Sequence, residues 1–405
     1  MEAALANRIW VGGAIATMGL ISVEGRALAI DCNTLPNPVF LQVGDTQEPL
    51  MKKLGQKLRA NTPSPITIIY KTSGSCTNID AIYNDTKLVT NPSYVPSAAE
   101  DPLWDSSKPS PTCVIDPAGV SLDVANSNVF IEACTATPVP AGLAASTGPV
   151  QPYVFVVPEA STQTAILAEE AYFTFGFGAA GMVDPWNDEA FMFIRPTTKS
   201  TLLSIAANIQ VPAAKWKGVP LDKSSDVLNA VATSTAPETT IGILGAEVYD
   251  GARDKVNALA YRAYQQKHAY YPDASKDTFD KQNVRDGHYT IWSPTVYIQK
   301  VDGGGSPTNA RAAYIIDLIL GNVVTPAPNF DSLDIVVSGV KLVPDCAMKV
   351  KRAGEGGDLS LYDADQPCGC FFDSKLGVAP ASCTVCTEDT MCGAGKCRHG
   401  FCEAK

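Results

Sequence analysis

Apolar positions along this chain switch between short β-branched runs and stretches with a helical repeat, and the two kinds alternate. Val39-Phe40-Leu41-Gln42-Val43 reads as a strand that ends in Gly44-Asp45-Thr46-Gln47. Leu50, Leu54 and Leu58 then fall at i, i+4 and i+8, which predicts a helix with Pro49 in its first turn and Lys52, Lys53, Lys57 and Arg59 on the wet side. Ile66-Thr67-Ile68-Ile69-Tyr70 has the content of a buried strand, and Ile79, Ile82 and Tyr83 give the next helical face. Val120 to Ala125 is a further strand, ending in Asn126-Ser127-Asn128. Strand, loop and helix in this rhythm predict an α/β architecture whose loops gather at one edge of a parallel sheet. Downstream, Tyr153 to Val157 and Ile241 to Gly245 read as strands. Thr162 to Tyr172, the run after Ser200-Thr201, and Ala310 to Leu320 read as helices.

The turn between Tyr70 and Ile79 is the first candidate for chemistry. Gly74 can take positive φ there, and Ser75 and Thr77 place hydroxyls beside the unpaired N–H groups that open a helix. An oxyanion would fit, and so would an ordinary capped helix. Net charge of −11 sets the average field against nucleic acid and acidic membranes, so an anion has to be held by local geometry. No Gly-x-Ser-x-Gly elbow and no His-Glu-x-x-His is present, which leaves His288 as a structural histidine. Gly176 to Gly181 matches a dinucleotide fingerprint by letter, but Pro185 falls where its helix should run. Neither an enzyme nor a cofactor or metal is expected.

The hydrophobic share of 45% and the length of 405 residues allow a large core. Arg8, the apolar run Ile9 to Val23 and Ala27-Leu28-Ala29 predict an export signal over residues 1–29, and hence a periplasmic or secreted protein with no span in its mature form. Export favours disulfides for the twelve cysteines. Four lie in the first third and eight crowd the C-terminus, where zinc is the rival reading. The excursion from Leu88 to Pro117 is expected to be clipped by Cys113, to Cys134. Residues 346–405 read as a separate disulfide-stapled tail, too poor in apolar residues to fold otherwise.

The blocks Gly44-Asp45-Thr46-Gln47-x-Pro49, Tyr70-x-x-x-Gly74-Ser75, Val124 to Asn128, and Arg195 with Ser200-Thr201, taken in order, resemble the phosphate-binding proteins of bacterial ABC importers. The resemblance implies an α/β, two-lobed periplasmic-binding-protein-like fold of type II over residues 30–345. Its first lobe would be about 38–150 and 290–345, its second about 151–289. It also implies a ligand set: Thr46 and Gln47 from the first loop, Ser75 from the second, Asn128 from the third, Arg195 as the counter-charge, and Ser200 and Thr201 at a helix start of the opposing lobe. The bland reading of Arg195 is a surface ion pair, the weaker of the two in this context.

Two departures stand out. Asn128 replaces the family's aspartate, which accepts the ligand's proton, and Asp45 replaces a small residue, where it is expected to face solvent. Between Arg195 and Ser200 the chain is one residue longer than usual and carries Lys199, a second positive charge. The implied function is capture of an inorganic oxyanion, phosphate first, by a monomer that serves an ABC permease. The alternative is a secreted adhesive or matrix protein that keeps the fold without ligand transport.

Overall fold

The computed structural model describes residues 30–61 and 63–404, so the expected export signal lies outside the described residues. Its first half follows the strand–helix rhythm. β1 (Pro38–Gly44), α1 (Glu48–Ala60), β2 (Thr67–Ser73) and α2 (Ser75–Tyr83) come first, then the short β3 (Ser93–Tyr94) and β4 (Val124–Ser127). β1 lies parallel to both β2 and β4, and six of its seven residues are buried, which is why its sequence shows no alternation. α1 buries Leu50, Leu54 and Leu58 as its spacing predicts, and Met51 beside them. Arg59 does not face water. It is buried because Glu100 and the Thr67 hydroxyl accept from its guanidinium, at 2.6 and 2.9 Å.

β5 (Leu143–Pro158) connects the two lobes. Its first part, to Pro152, pairs antiparallel with β12 (Trp292–Lys300), and from Tyr153 it pairs with β9 (Ile241–Gly245). The second lobe adds β6 (Ala165–Leu167), α3 (Ala168–Phe177), β7 (Met192–Ile194), α4 (Ser200–Ile209), β8 (Val219–Pro220) and α5 (Ser224–Ala232). After β9 come α6 (Ala246–Asp250), β10 (Val256–Ala258), β11 (Ala260–Arg262) and α7 (Gln282–Arg285), before β12 returns the chain to the first lobe and α8 (Ala310–Leu320). The sheet runs β3-β2-β1-β4-β12-β5-β9-β7-β8, with β10 added on β5. The helix expected from Thr162 starts six residues later, at Ala168. The stretch before it includes β6, which pairs with β11, and the Glu170 carboxylate accepts from Leu167 N at 2.9 Å where the helix opens.

All twelve cysteines are paired, so none is left for zinc. The expected Cys113–Cys134 bridge is corrected: Cys113 joins Cys32, and Cys134 joins Cys76. Strand-like pairing of Asp31 with Val114, with Cys32 N donating to Val114 O at 2.9 Å, sets the first pair side by side. Among the described residues no helix is long and apolar enough to cross a membrane.

The tail is not wholly separate. Ala347, Met348, Val350, Cys368, Phe371 and Phe372 are buried in the same core as β5 and α4. The loop around Glu355 enters between the lobes. Ser293 of β12 donates to the Glu355 carboxylate at 2.7 and 2.8 Å, and Phe130 N of the first lobe donates at 3.4 Å. Gly356 lies at φ +66° with its missing Cβ 2.9 Å from Ala207 of α4, so only glycine fits that approach. Residues beyond the helix Gly369–Lys375 form the more exposed, disulfide-stapled part.

Candidate anion-binding site

The loops that follow β1, β2 and β4 meet the starts of α4 and α5 across the interlobe cleft. Parallel strands end on one side of a sheet, which is what brings β1, β2 and β4 to the same edge. Thr46 and Gln47 sit in the turn Asp45–Gln47, Ser75 opens α2, and Asn128 follows β4. All four are buried and hydrogen-bonded to one another or to common partners. Asn128 N donates to Ser75 Oγ at 3.0 Å, and Asn128 Nδ2 donates to Thr46 Oγ1. Thr46 Oγ1 and Gln47 Nε2 both donate to Gln151 Oε1, at 3.4 and 3.1 Å. Gln47 Oε1 accepts from Tyr297 at 3.0 Å, which leaves that side chain a structural role. The Asn128 amide therefore has its NH2 engaged, while its buried Oδ1 has no partner.

On the opposing lobe Arg195 is 1% exposed, which removes the surface-ion-pair reading. Its Nε donates to Leu221 O at 3.1 Å, one Nη to Ser224 Oγ, and the other to Asp222 O at 2.7 Å and to Asp45 Oδ2 at 2.9 Å. Asp45 does not face solvent as expected, because this pairing draws it across the cleft. Lys199 Nζ lies 3.3 Å from Asp222 Oδ1 and 4.0 Å from Asp45 Oδ1, so the second positive charge is present. Ser200 and Thr201 are buried at the start of α4, but Lys199 is the cap residue and both hydroxyls lie inside the first turn.

Gly74 corrects a further expectation. Its φ is −80°, so positive φ is not its purpose. A Cβ there would lie 2.6 Å from Thr198 O of the other lobe, and Cys76 N donates to that same carbonyl at 3.3 Å. Glycine is needed for lobe-to-lobe approach.

Three contributors escaped the sequence reading. Ser224, the first residue of α5, gives both its N–H and its hydroxyl to Asp45, at 3.2 and 3.0 Å. Tyr153, at the crossing on β5, donates to Asn128 O at 2.5 Å, and burial pushes its phenol well up. Glu247, on α6, accepts from Gln151 Nε2 at 2.7 Å, and burial pushes its carboxyl up to about 8. A buried strand followed by Gly245-Ala246-Glu247 was the available signal for the last. The others needed the tertiary fold.

Two lobes joined by two crossing strands, with a charged cleft between them, define a periplasmic-binding-protein-like fold of type II with a disulfide-rich C-terminal region. A solved structure is similar to it. A protein described as a phosphate ABC transporter substrate-binding protein with bound phosphate, from Clostridium perfringens, superposes with a TM-score of 0.52 at 12% identity, covering 76% of this chain and 99% of that one. An ABC-type phosphate transport receptor from Vibrio cholerae gives a TM-score of 0.47 at 12% identity, over 75% and 99% of the two chains. The reduced OxyR regulatory domain from Pseudomonas aeruginosa gives 0.39 at 9% identity, over 69% and 95%. No family model matches the chain, and no curated protein matches it. At 12% identity the first of these likenesses speaks to fold alone.

Proposed function

We propose that this is an exported, non-enzymatic solute-binding protein that captures an inorganic oxyanion, phosphate first, between its lobes and hands it to an ABC-type permease as a monomer. The observation that carries the reading is Arg195: a guanidinium at 1% exposure, fixed by two backbone carbonyls and meeting the Asp45–Gln47 turn of the other lobe. Burying a charge so completely is costly unless an anion meets it, and Asp45 supplies that anion here; in the proposed function a solute's oxygens take its place. Ser75, Ser200 and Thr201 are read as hydroxyl donors, Thr46 as one once it gives up its bond to Gln151, and Asn128 Oδ1 as an acceptor for a ligand's proton. Titration calorimetry with phosphate, arsenate and sulfate tests this. Arg195→Ala should weaken phosphate binding by about 2 kcal/mol or more, the range of a charge-assisted bond. An unchanged dissociation constant would remove Arg195 from the site.

Asn128 bears on selectivity. A neutral carboxamide oxygen accepts a proton more weakly than a carboxylate and repels a bare sulfate oxygen less. Sulfate is therefore expected to compete with phosphate in the unmodified protein. Asn128→Asp should raise the phosphate-to-sulfate preference about tenfold, equivalent to about 1.4 kcal/mol. Equal preference before and after would show that another group sets selectivity.

The second reading, an adhesive or matrix protein that keeps the fold without transport, is favoured by one observation: Arg195 already has a carboxylate partner in Asp45. Silence towards all three anions would support it.

A further inference from the structure

Asp45 belongs to the first lobe, and every donor to its carboxylate named above belongs to the second. Oδ2 accepts from Arg195 at 2.9 Å, from the Ser224 hydroxyl at 3.0 Å and from Ser224 N at 3.2 Å. Lys199 Nζ stands 4.0 Å from Oδ1. One oxygen thus meets a guanidinium, a hydroxyl and the first N–H of the nine-residue α5, which is how a binding lobe grips the oxygen of an anionic ligand. Arg195 is meanwhile aimed by Leu221 O and Asp222 O, so its fork is preset for an incoming oxygen. Closure is complete on the other side as well, because Cys76 N at the start of α2 is satisfied by Thr198 O of the opposing lobe.

We propose that Asp45 is a tethered internal ligand: its carboxylate occupies the anion seat of the second lobe, holds the lobes together without solute, and must be displaced by any incoming anion. This rests on the reading of Arg195 as the anion seat. The carboxylate is reachable, since the Asp45 side chain is 21% exposed while that of Arg195 is sealed. A group tethered this closely competes at an effective concentration in the millimolar range or above, so it lowers the apparent affinity for external anions. It also identifies a second ligand class for the seat, simple carboxylates, because a carboxylate is what the seat now holds.

The test uses the full chain as wild type, Asp45→Ala and Asp45→Asn, titrated calorimetrically with phosphate and with acetate, while small-angle X-ray scattering follows lobe closure. The alanine variant is expected to open without anion, to close again with acetate, and to bind phosphate at least tenfold more tightly than wild type. Asn keeps the shape without the charge and should give the same direction if the alanine variant folds poorly. Equal phosphate affinity in wild type and both variants overturns the internal ligand and leaves the proposed function standing. Opening that acetate reverses but phosphate does not supports the internal ligand and removes phosphate from the proposed function. Variants that stay closed and bind neither anion overturn both.

Discussion

Truncation after Pro344 is expected to abolish cooperative folding, because the C-terminal residues complete the core of the two lobes. Met348, Val350, Phe371 and Phe372 are all buried in that core. At about 2 kcal/mol for each buried apolar side chain, they contribute on the order of 8 kcal/mol, against a typical domain stability of about 5–15 kcal/mol. The tail also holds a cation. Arg285, itself buried, donates to Ala347 O at 2.9 Å and to the Asp373 carboxylate, and stacks its guanidinium 4.6 Å from the Phe372 ring centroid. Removing the tail takes away that packing and both partners. A second truncation, after Lys375 with Cys370→Ser, keeps the buried segment and the Cys346–Cys368 bridge and should stay folded. Thermal unfolding of both distinguishes the cases. A Pro344 truncation that melts cooperatively within a few degrees of the full chain would show that the tail is the separate unit its cysteines suggest.

The two parts of the tail differ for a physical reason. Cysteine density and low apolar content over residues 346–405 point to a small stapled module, and beyond the helix Gly369–Lys375 that is what forms. The few apolar residues of the first thirty are not a core of their own; they cap someone else's, and composition cannot tell the two apart. Local patterns were legible where the fold agrees with them, as in β1, β2, α1, β9 and α8. Asp45 was misread for the opposite reason. An aspartate in a tight turn after a strand is ordinarily solvated, and only the arrival of Arg195, 150 residues later, reverses that. Gly74 likewise has a loop-like sequence, while its reason for being glycine sits on Thr198 of the other lobe.

Replacing Glu247 by glutamine is expected to flatten the fall in stability between about pH 4.5 and pH 8. Burial pushes the Glu247 carboxyl up to about 8, and the nearby charges of Asp45 and Asp250 add to it. Gln151 donates to Oε2 at 2.7 Å, while the buried Oε1 has no partner. Folding therefore takes up a proton at neutral pH. Because the folded value lies above the unfolded one, the stabilisation is fully present below about pH 4.5 and is lost as pH rises through about 8. At 1.36 kcal/mol per unit the full loss amounts to about 5 kcal/mol. Glu247→Gln keeps the shape and cannot ionise, so it should be the more stable protein at pH 9 and similar to the parent at pH 5. Glu355, also raised by burial, changes stability in the same direction but equally in both proteins, so the difference isolates Glu247. Chemical denaturation of the pair at pH 5, 7 and 9 gives that difference, and parallel curves would place the proton elsewhere. The same charge should act on binding. Once Glu247 ionises beside Asp45, the cleft gains a second carboxylate, so phosphate affinity should fall above pH 8 in the parent and hold in the glutamine variant.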